Sequence, residues 1–259
     1  MKRRKFIASA TALSALPLGM AASGLSAPLV DREVYELREY EIKFGGGGEG
    51  NLHKYLQHAL IPSLNRHGVK NVGVFKEMSQ SNPAKVYVLI AYPSFESYGK
   101  IVAGLGADTE YLALSKEYDA LPAEKPIFNR YDTRLMVAFS GIPQMEVPKK
   151  EARIFELRTY EGYSEDAVRR KVAMFNDEEL PLFYDVKLNP VFFGDTIAGK
   201  SMPALTYMLV FRDLEERDAN WKVFVDDPRW KEMSARPKYA NSVSNIYREF
   251  LVPTDYSQV

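Results

Sequence analysis

Alternation of apolar and polar residues marks eight extended segments along the chain, and helical spacing marks the stretches between them. Residues 33–42 alternate like a half-buried strand. After the break at Gly45 to Gly48, Leu52, Tyr55, Leu56, Ala59 and Leu60 recur on one face of a helix that ends near Gly68, a residue suited to a left-handed cap. A strand near 69–78, a turn at Asn82-Pro83 and the nearly unbroken apolar run Val86 to Tyr92 follow. Helical material over 95–120, interrupted at Gly104 and Gly106, leads to a strand near 129–139. The same order then recurs. A strand over 152–161 precedes a helix over 164–184, strands near 189–197 and 205–211, a helical region holding Asp226-Asp227-Pro228-Arg229-Trp230, and a last strand over 243–252.

The recurrence extends to residue identity. Val34-Tyr35-Glu36-Leu37-Arg38-Glu39-Tyr40-Glu41 returns 120 residues later as Ile154-Phe155-Glu156-Leu157-Arg158-Thr159-Tyr160-Glu161, with five of eight positions identical. A period this long implies two copies of a small domain rather than a solenoid. The order strand-helix-strand-strand-helix-strand is ferredoxin-like. Each such sheet carries helices on one face only, so its other face needs a cover. The expected fold is therefore α+β: two tandem ferredoxin-like repeats, residues 33–140 and 152–252, joined by a linker over 141–151 and packed as a pseudo-twofold α/β barrel.

The motifs Tyr35-Glu36-Leu37-Arg38, His58-Ala59-Leu60-Ile61-Pro62 with Arg66-His67-Gly68, Phe155-Glu156-Leu157-Arg158-Thr159-Tyr160 and Asp227-Pro228-Arg229-Trp230 resemble NIPSNAP domains. The resemblance spans both proposed repeats and implies a dimeric α/β-barrel fold. It carries no settled biochemical activity with it. The copies depart from the pattern differently: the first lacks the Asp-Pro-x-Trp element, and the second has Glu179-Leu180-Pro181 where the first has the His-Ala-Leu-x-Pro element.

Composition narrows the chemistry. The 259 residues include no cysteine, which excludes disulfides, thiolate metal sites, cysteine nucleophiles and a lipoprotein anchor. The formal charge is zero, but Lys2, Arg3, Arg4 and Lys5 precede the first acid, Asp31. Arg3-Arg4-Lys5-Phe6-Ile7 followed by a weakly apolar stretch reads as a twin-arginine signal over residues 1–27, with small residues for cleavage at Ala22-Ser23-Gly24. Its removal leaves 30 basic against 34 acidic residues, an acidic mature protein with no footprint for nucleic acid. The expectation is a periplasmic protein without a membrane span after processing. Each chain completes its own barrel, so homo-oligomers are compatible with the fold but not forced.

Strand alternation places Tyr35 and Leu37 on one face and Glu36, Arg38 and Tyr40 on the other, with the same division at Phe155, Leu157, Glu156, Arg158 and Tyr160. Assigning the charged rows to the barrel interior makes Glu36, Arg38, Tyr40, Glu156, Arg158 and Tyr160 candidate ligand-binding residues. An arginine there would grip a carboxylate or enolate between aromatic walls. The competing reading is an ion-pair network that joins the sheets. His53, His58 and His67 do not converge on one helix face, and only His58, within the resemblance motif, is kept as a catalytic candidate. Asp177-Glu178-Glu179 reads as a solvated helix face, Gly45 to Gly48 as a flexible connection, and Trp221 with Trp230 as helix-to-sheet packing. Phe75, Tyr87, Tyr92, Phe192, Phe193, Tyr207 and Phe211 read as core, with pocket walls as the alternative. No metal and no cofactor is expected. The preferred function is binding of a small, largely apolar organic ligand between the sheets. The alternatives are a cofactor-independent oxygenase- or isomerase-like enzyme, and a structural or protein-interaction scaffold.

Overall fold

Apolar residues at every second position build β1 (Val34–Ile42), whose two faces are both largely buried. This is the first sign that the sheet is covered on both sides. The computed structural model describes residues 32–79 and 81–259; the leader expected over residues 1–27 lies outside the described residues. After β1 come a helix over residues 49–66 (α1), β2 (Asn71–Glu77) and β3 (Lys85–Tyr92). Helices α2 (Phe95–Leu105) and α3 (Thr109–Asp119) then lead to β4 (Phe128–Ala138). The second half holds β5 (Ile154–Glu161), a helix over residues 165–185 (α4), β6 (Pro190–Ala198) and β7 (Ala204–Phe211). It finishes with α5 (Leu214–Asp226), α6 (Pro228–Ser234) and β8 (Asn245–Pro253).

The eight strands close into one barrel in the order β1-β3-β2-β8-β5-β7-β6-β4, every neighbouring pair antiparallel. Two seams join the halves, and both are short. Strand β2 meets β8 only from Phe75↔Pro253 to Glu77↔Leu251, and β4 meets β6 only from Leu135↔Ala198 to Ala138↔Gly194. At one end of the barrel the starts of β4 and β8 therefore run past their seam partners and leave the mouth splayed.

Side-chain oxygens cap the helices where the sequence offers them. Ser94 accepts from the Ser97 amide, Asp108 from Glu110 and Tyr111, Ser164 from Ala167, and Asp213 from Glu216. Helices α1 and α4 each contain a π-helical turn, Leu56–Leu60 and Phe175–Glu179, directly before a proline-containing segment at Pro62 and Pro181. Proline cannot donate to the carbonyl four residues back and its ring collides with it, so a widened turn accommodates it. The glycine run is a fitted turn, not the loose connection expected. Gly45 and Gly48 hold φ of 68° and 85°, and a Cβ on Gly46 would collide with the Pro126 carbonyl.

Three apolar clusters divide the interior. One packs α1 to α3 on the outer face of the first four strands, and a second packs α4 to α6 on the last four. The third fills the lumen, with Tyr35, Leu37, Phe75, Tyr87, Leu89, Met136, Phe155, Leu157, Phe192 and Met208. Met145 from the inter-strand segment and Val259 from the C-terminal tail close the lumen at the end opposite the splayed mouth.

Candidate functional site

The Glu-Arg-Tyr rows do not line the lumen. Glu36, Arg38, Tyr40, Glu156, Arg158 and Tyr160 face outward beneath the helices, and Tyr35, Leu37, Phe155 and Leu157 face inward, the reverse of the sequence expectation. The reason is hydrogen bonding. The lumen floor is packed with hydrocarbon, whereas the outer face gives each buried carboxylate its donors, from α5 for Glu156 and from β3 and β4 for Glu36.

Glu156, with no exposed surface, shows this most fully. Its Oε1 accepts from Arg158 Nη1 at 2.9 Å and Arg217 Nη2 at 2.8 Å, and its Oε2 from Arg217 Nε at 3.0 Å and Trp221 Nε1 at 2.8 Å. Burial alone would raise the Glu156 carboxyl, but the Arg217 and Trp221 hydrogen bonds and the Arg158 charge hold it below the usual value. The Arg158 guanidinium lies 4.4 Å from the Trp221 ring centre, and Tyr160 hydrogen-bonds Tyr207 at 2.8 Å. Glu36 takes fewer donors: Arg38 Nε at 2.6 Å, the Tyr92 hydroxyl at 2.8 Å and Thr133 at 3.3 Å. Tyr40 stacks on Tyr131 with ring centres 4.8 Å apart. Glu156 and Arg158 tie the wall to α5, whereas Glu36, Arg38, Tyr40 and Tyr160 bond to or stack on one another and on neighbouring strands. These contacts lie within each half and do not join the two sheets. The acidic triplet departs from expectation as well. The π turn swings Glu179 inward, where it pairs with buried Lys171 at 2.6 Å, while Asp177 stays exposed. Trp221 and Trp230 pack against Phe224 beneath the helices, as their helical setting suggests.

The histidines stay apart. His53 contacts Glu49 and Tyr256, His67 pairs with Asp108 at 3.0 Å, and His58 is exposed beside Tyr55 and Tyr118, outside the barrel. Among the described residues no group of three or more His, Asp and Glu side chains is placed to hold a metal ion.

The cavity that does open into the lumen sits at the splayed mouth. It measures about 330 Å³ and is lined by Leu37, Glu39, Lys85, Tyr87, Arg134, Leu157, Thr159, Lys200, Ser201, Tyr247 and Glu249. Apart from Lys200 and Ser201, which come from the loop between β6 and β7, these are inward positions of the strands at and just beyond the apolar floor. Strand β4 projects Arg134 across the lumen, where it donates to Thr159 Oγ1 at 3.1 Å and Thr206 Oγ1 at 3.3 Å. No carboxylate lies within ion-pairing distance of Arg134 among the described residues, and its Nε has no partner. Burial lowers the Arg134 guanidinium below the usual arginine value, despite Glu39, Asp132 and Glu161 nearby. Tyr87, 1% exposed, turns a hydroxyl toward the same cavity with no hydrogen-bond partner. Burial, then Glu39 and Glu249, push that hydroxyl up, so it remains a neutral donor.

Strand register shows where this chemistry is concentrated. Glu39 stands opposite Tyr87 as Thr159 stands opposite Thr206, and Arg134 and Glu249 each follow the partner of an outward arginine by one position. Glu39, Lys85, Tyr87 and Arg134 thus answer to Thr159, Ala204, Thr206 and Glu249. At these register positions the first half supplies Glu39, Lys85 and Arg134, and the second half one charge, Glu249, beside small hydroxyl and aliphatic groups. Of these residues only Tyr87 was anticipated, as core or pocket wall. The signal available in the sequence was the continuation of the inward row, Tyr35-x-Leu37-x-Glu39, together with Lys85-x-Tyr87.

The NIPSNAP family model matches residues 155–258. Among solved structures, a candidate monooxygenase from Lactobacillus acidophilus NCFM shares the fold at a TM-score of 0.55 and 12% identity, over 86% of this chain and 94% of that one. A second, from Fusobacterium nucleatum, does so at 0.55 and 8% identity, over 86% and 92%. An uncharacterized NIPSNAP-like domain protein from Burkholderia xenovorans aligns at 21% identity and a TM-score of 0.38, over 41% of this chain and 89% of that one. No curated protein matches the sequence.

Proposed function

We propose that this chain, whose residues 155–258 match the NIPSNAP family model, binds a small organic carboxylate in the mouth of its barrel. The observation that carries this reading is Arg134. A half-buried guanidinium that meets only two threonine hydroxyls has lost hydration without gaining an anion. A ligand carboxylate would supply that anion, and the unpartnered Tyr87 hydroxyl would donate a further hydrogen bond. Leu37 and Leu157 offer an apolar floor for the ligand body. The cavity stands at the small end of the roughly 300–1,000 Å³ range of ligand pockets. The gripping residues are thus Arg134 and Tyr87 rather than Arg38 and Arg158. The test is native mass spectrometry of the purified chain, followed by denaturing extraction of whatever it carries. A retained small carboxylate supports the reading, and an empty protein that also ignores added carboxylates contradicts it.

Turnover is the second reading. An arginine and a neutral tyrosine hydroxyl aimed at one cavity form the arrangement that stabilises an enolate. The likeness of fold to two candidate monooxygenases agrees with it, as analogy. Dioxygen consumption with the extracted ligand, absent in Arg134→Leu, would support it.

We also infer that the barrel arose from two βαββαβ units, residues 33–140 and 152–252, since β1 pairs with β3 as β5 pairs with β7. On the sequence of residues 1–27 we infer export by the twin-arginine route to the periplasm.

A further inference from the structure

Five ionisable residues with charged side chains line the mouth: Glu39, Lys85, Arg134, Lys200 and Glu249. Three of them are tied into a neutral chain. Lys85 bridges Glu39 at 2.9 Å, and Lys200 bridges Glu39 at 3.3 Å and Asp132 at 2.8 Å. The chain of two lysines and two acids leaves Arg134 and Glu249, neither of which makes an ion pair among the described residues. They stand on β4 and β8, four places apart around eight strands, and so on opposite walls. Glu249 is half-buried, and its charged neighbours are Lys85, Glu77 and Glu39, two of the three acidic.

Resting on the carboxylate-binding reading above, we infer that the ligand is amphoteric: its carboxylate goes to Arg134 and an ammonium group at its other end goes to Glu249. A purely anionic ligand would neutralise Arg134 and leave Glu249 as the uncompensated charge of the mouth. A cationic end offsets that charge and also the cost of the acid's partial burial. The aliphatic Leu37 and Leu157 suit the hydrocarbon that separates the two ends.

The experiment is isothermal titration of the full chain with three probes of one length: hexanoate, hexylamine and 6-aminohexanoate. The expected result is 6-aminohexanoate binding about tenfold more tightly than hexanoate, as a charge-assisted contact of ordinary strength gives. Glu249→Gln erases that preference by weakening 6-aminohexanoate to the level of hexanoate, while Arg134→Leu weakens both acids. Hexanoate binding as tightly as 6-aminohexanoate, or a preference that survives Glu249→Gln, overturns the amphoteric inference alone. No binding by either acid overturns the mouth site itself and the inference with it.

Discussion

Arg134 on β4 reaches across the barrel lumen to donate to Thr159 on β5 at 3.1 Å, and meets no carboxylate on the way. The strongest cation of the cavity is therefore held by neutral oxygens, in contrast to the outward arginines. Arg38 and Arg158 are each committed to a glutamate two residues earlier, at 2.6 Å and 2.9 Å.

That commitment predicts a structural role for the outward rows. Glu156→Ala leaves Arg158 and Arg217 without their shared anion beneath α5. It is expected to cost about 3–5 kcal/mol in denaturant unfolding. Glu36→Ala, at a site with fewer donors, should cost about 1–3 kcal/mol. Equal and negligible losses at both positions would contradict the network.

Tyr87 separates stability from binding. Its hydroxyl is buried without a partner, so Tyr87→Phe removes a desolvated group and should leave stability unchanged or raise it by about 1 kcal/mol. Carboxylate affinity should fall about tenfold in the same variant. A loss of stability with intact affinity would assign the hydroxyl a structural partner instead.

The closed end of the barrel should behave as ordinary core. Phe192→Ala removes a fully buried ring that lies 4.9 Å from Tyr35. The expected cost is about 3–5 kcal/mol, read from the midpoint shift in urea.

Glu249 gives a pH signature. Burial, with Glu77 and Glu39 nearby, raises its carboxyl above the ordinary 4.5 against the pull of Lys85. A raised acid contributes stability that is fully present below the unfolded value and lost as pH rises through the folded one. Stability measured upward from pH 4.5 should therefore decline more in the native chain than in Glu249→Gln. Parallel profiles would show that Glu249 titrates normally.

The element order and the strand bounds were readable from the sequence because alternation and helical spacing are local. The π turns before Pro62 and Pro181 left no separate signal beyond the prolines. Which face of β1 looks inward was not readable. Both its rows mix apolar and polar residues, so Tyr35-Leu37-Glu39 and Glu36-Arg38-Tyr40 fit either side equally well. The choice is made by partners distant in sequence: Arg217 and Trp221 on α5 for Glu156, and Tyr92 on β3 for Glu36. Arg134 escaped notice for a related reason. It sits outside the repeated motif, and its counterpart by register is an acid, Glu249.

The most direct test compares Arg134→Leu with Arg38→Leu in hexanoate titrations of the full chain. Removing a half-buried guanidinium that has no anionic partner should leave the Arg134 variant folded. Its hexanoate affinity should drop at least tenfold, while Arg38→Leu binds like the native protein. Unchanged affinity in Arg134→Leu, or a loss confined to Arg38→Leu, would contradict a ligand site in the barrel mouth.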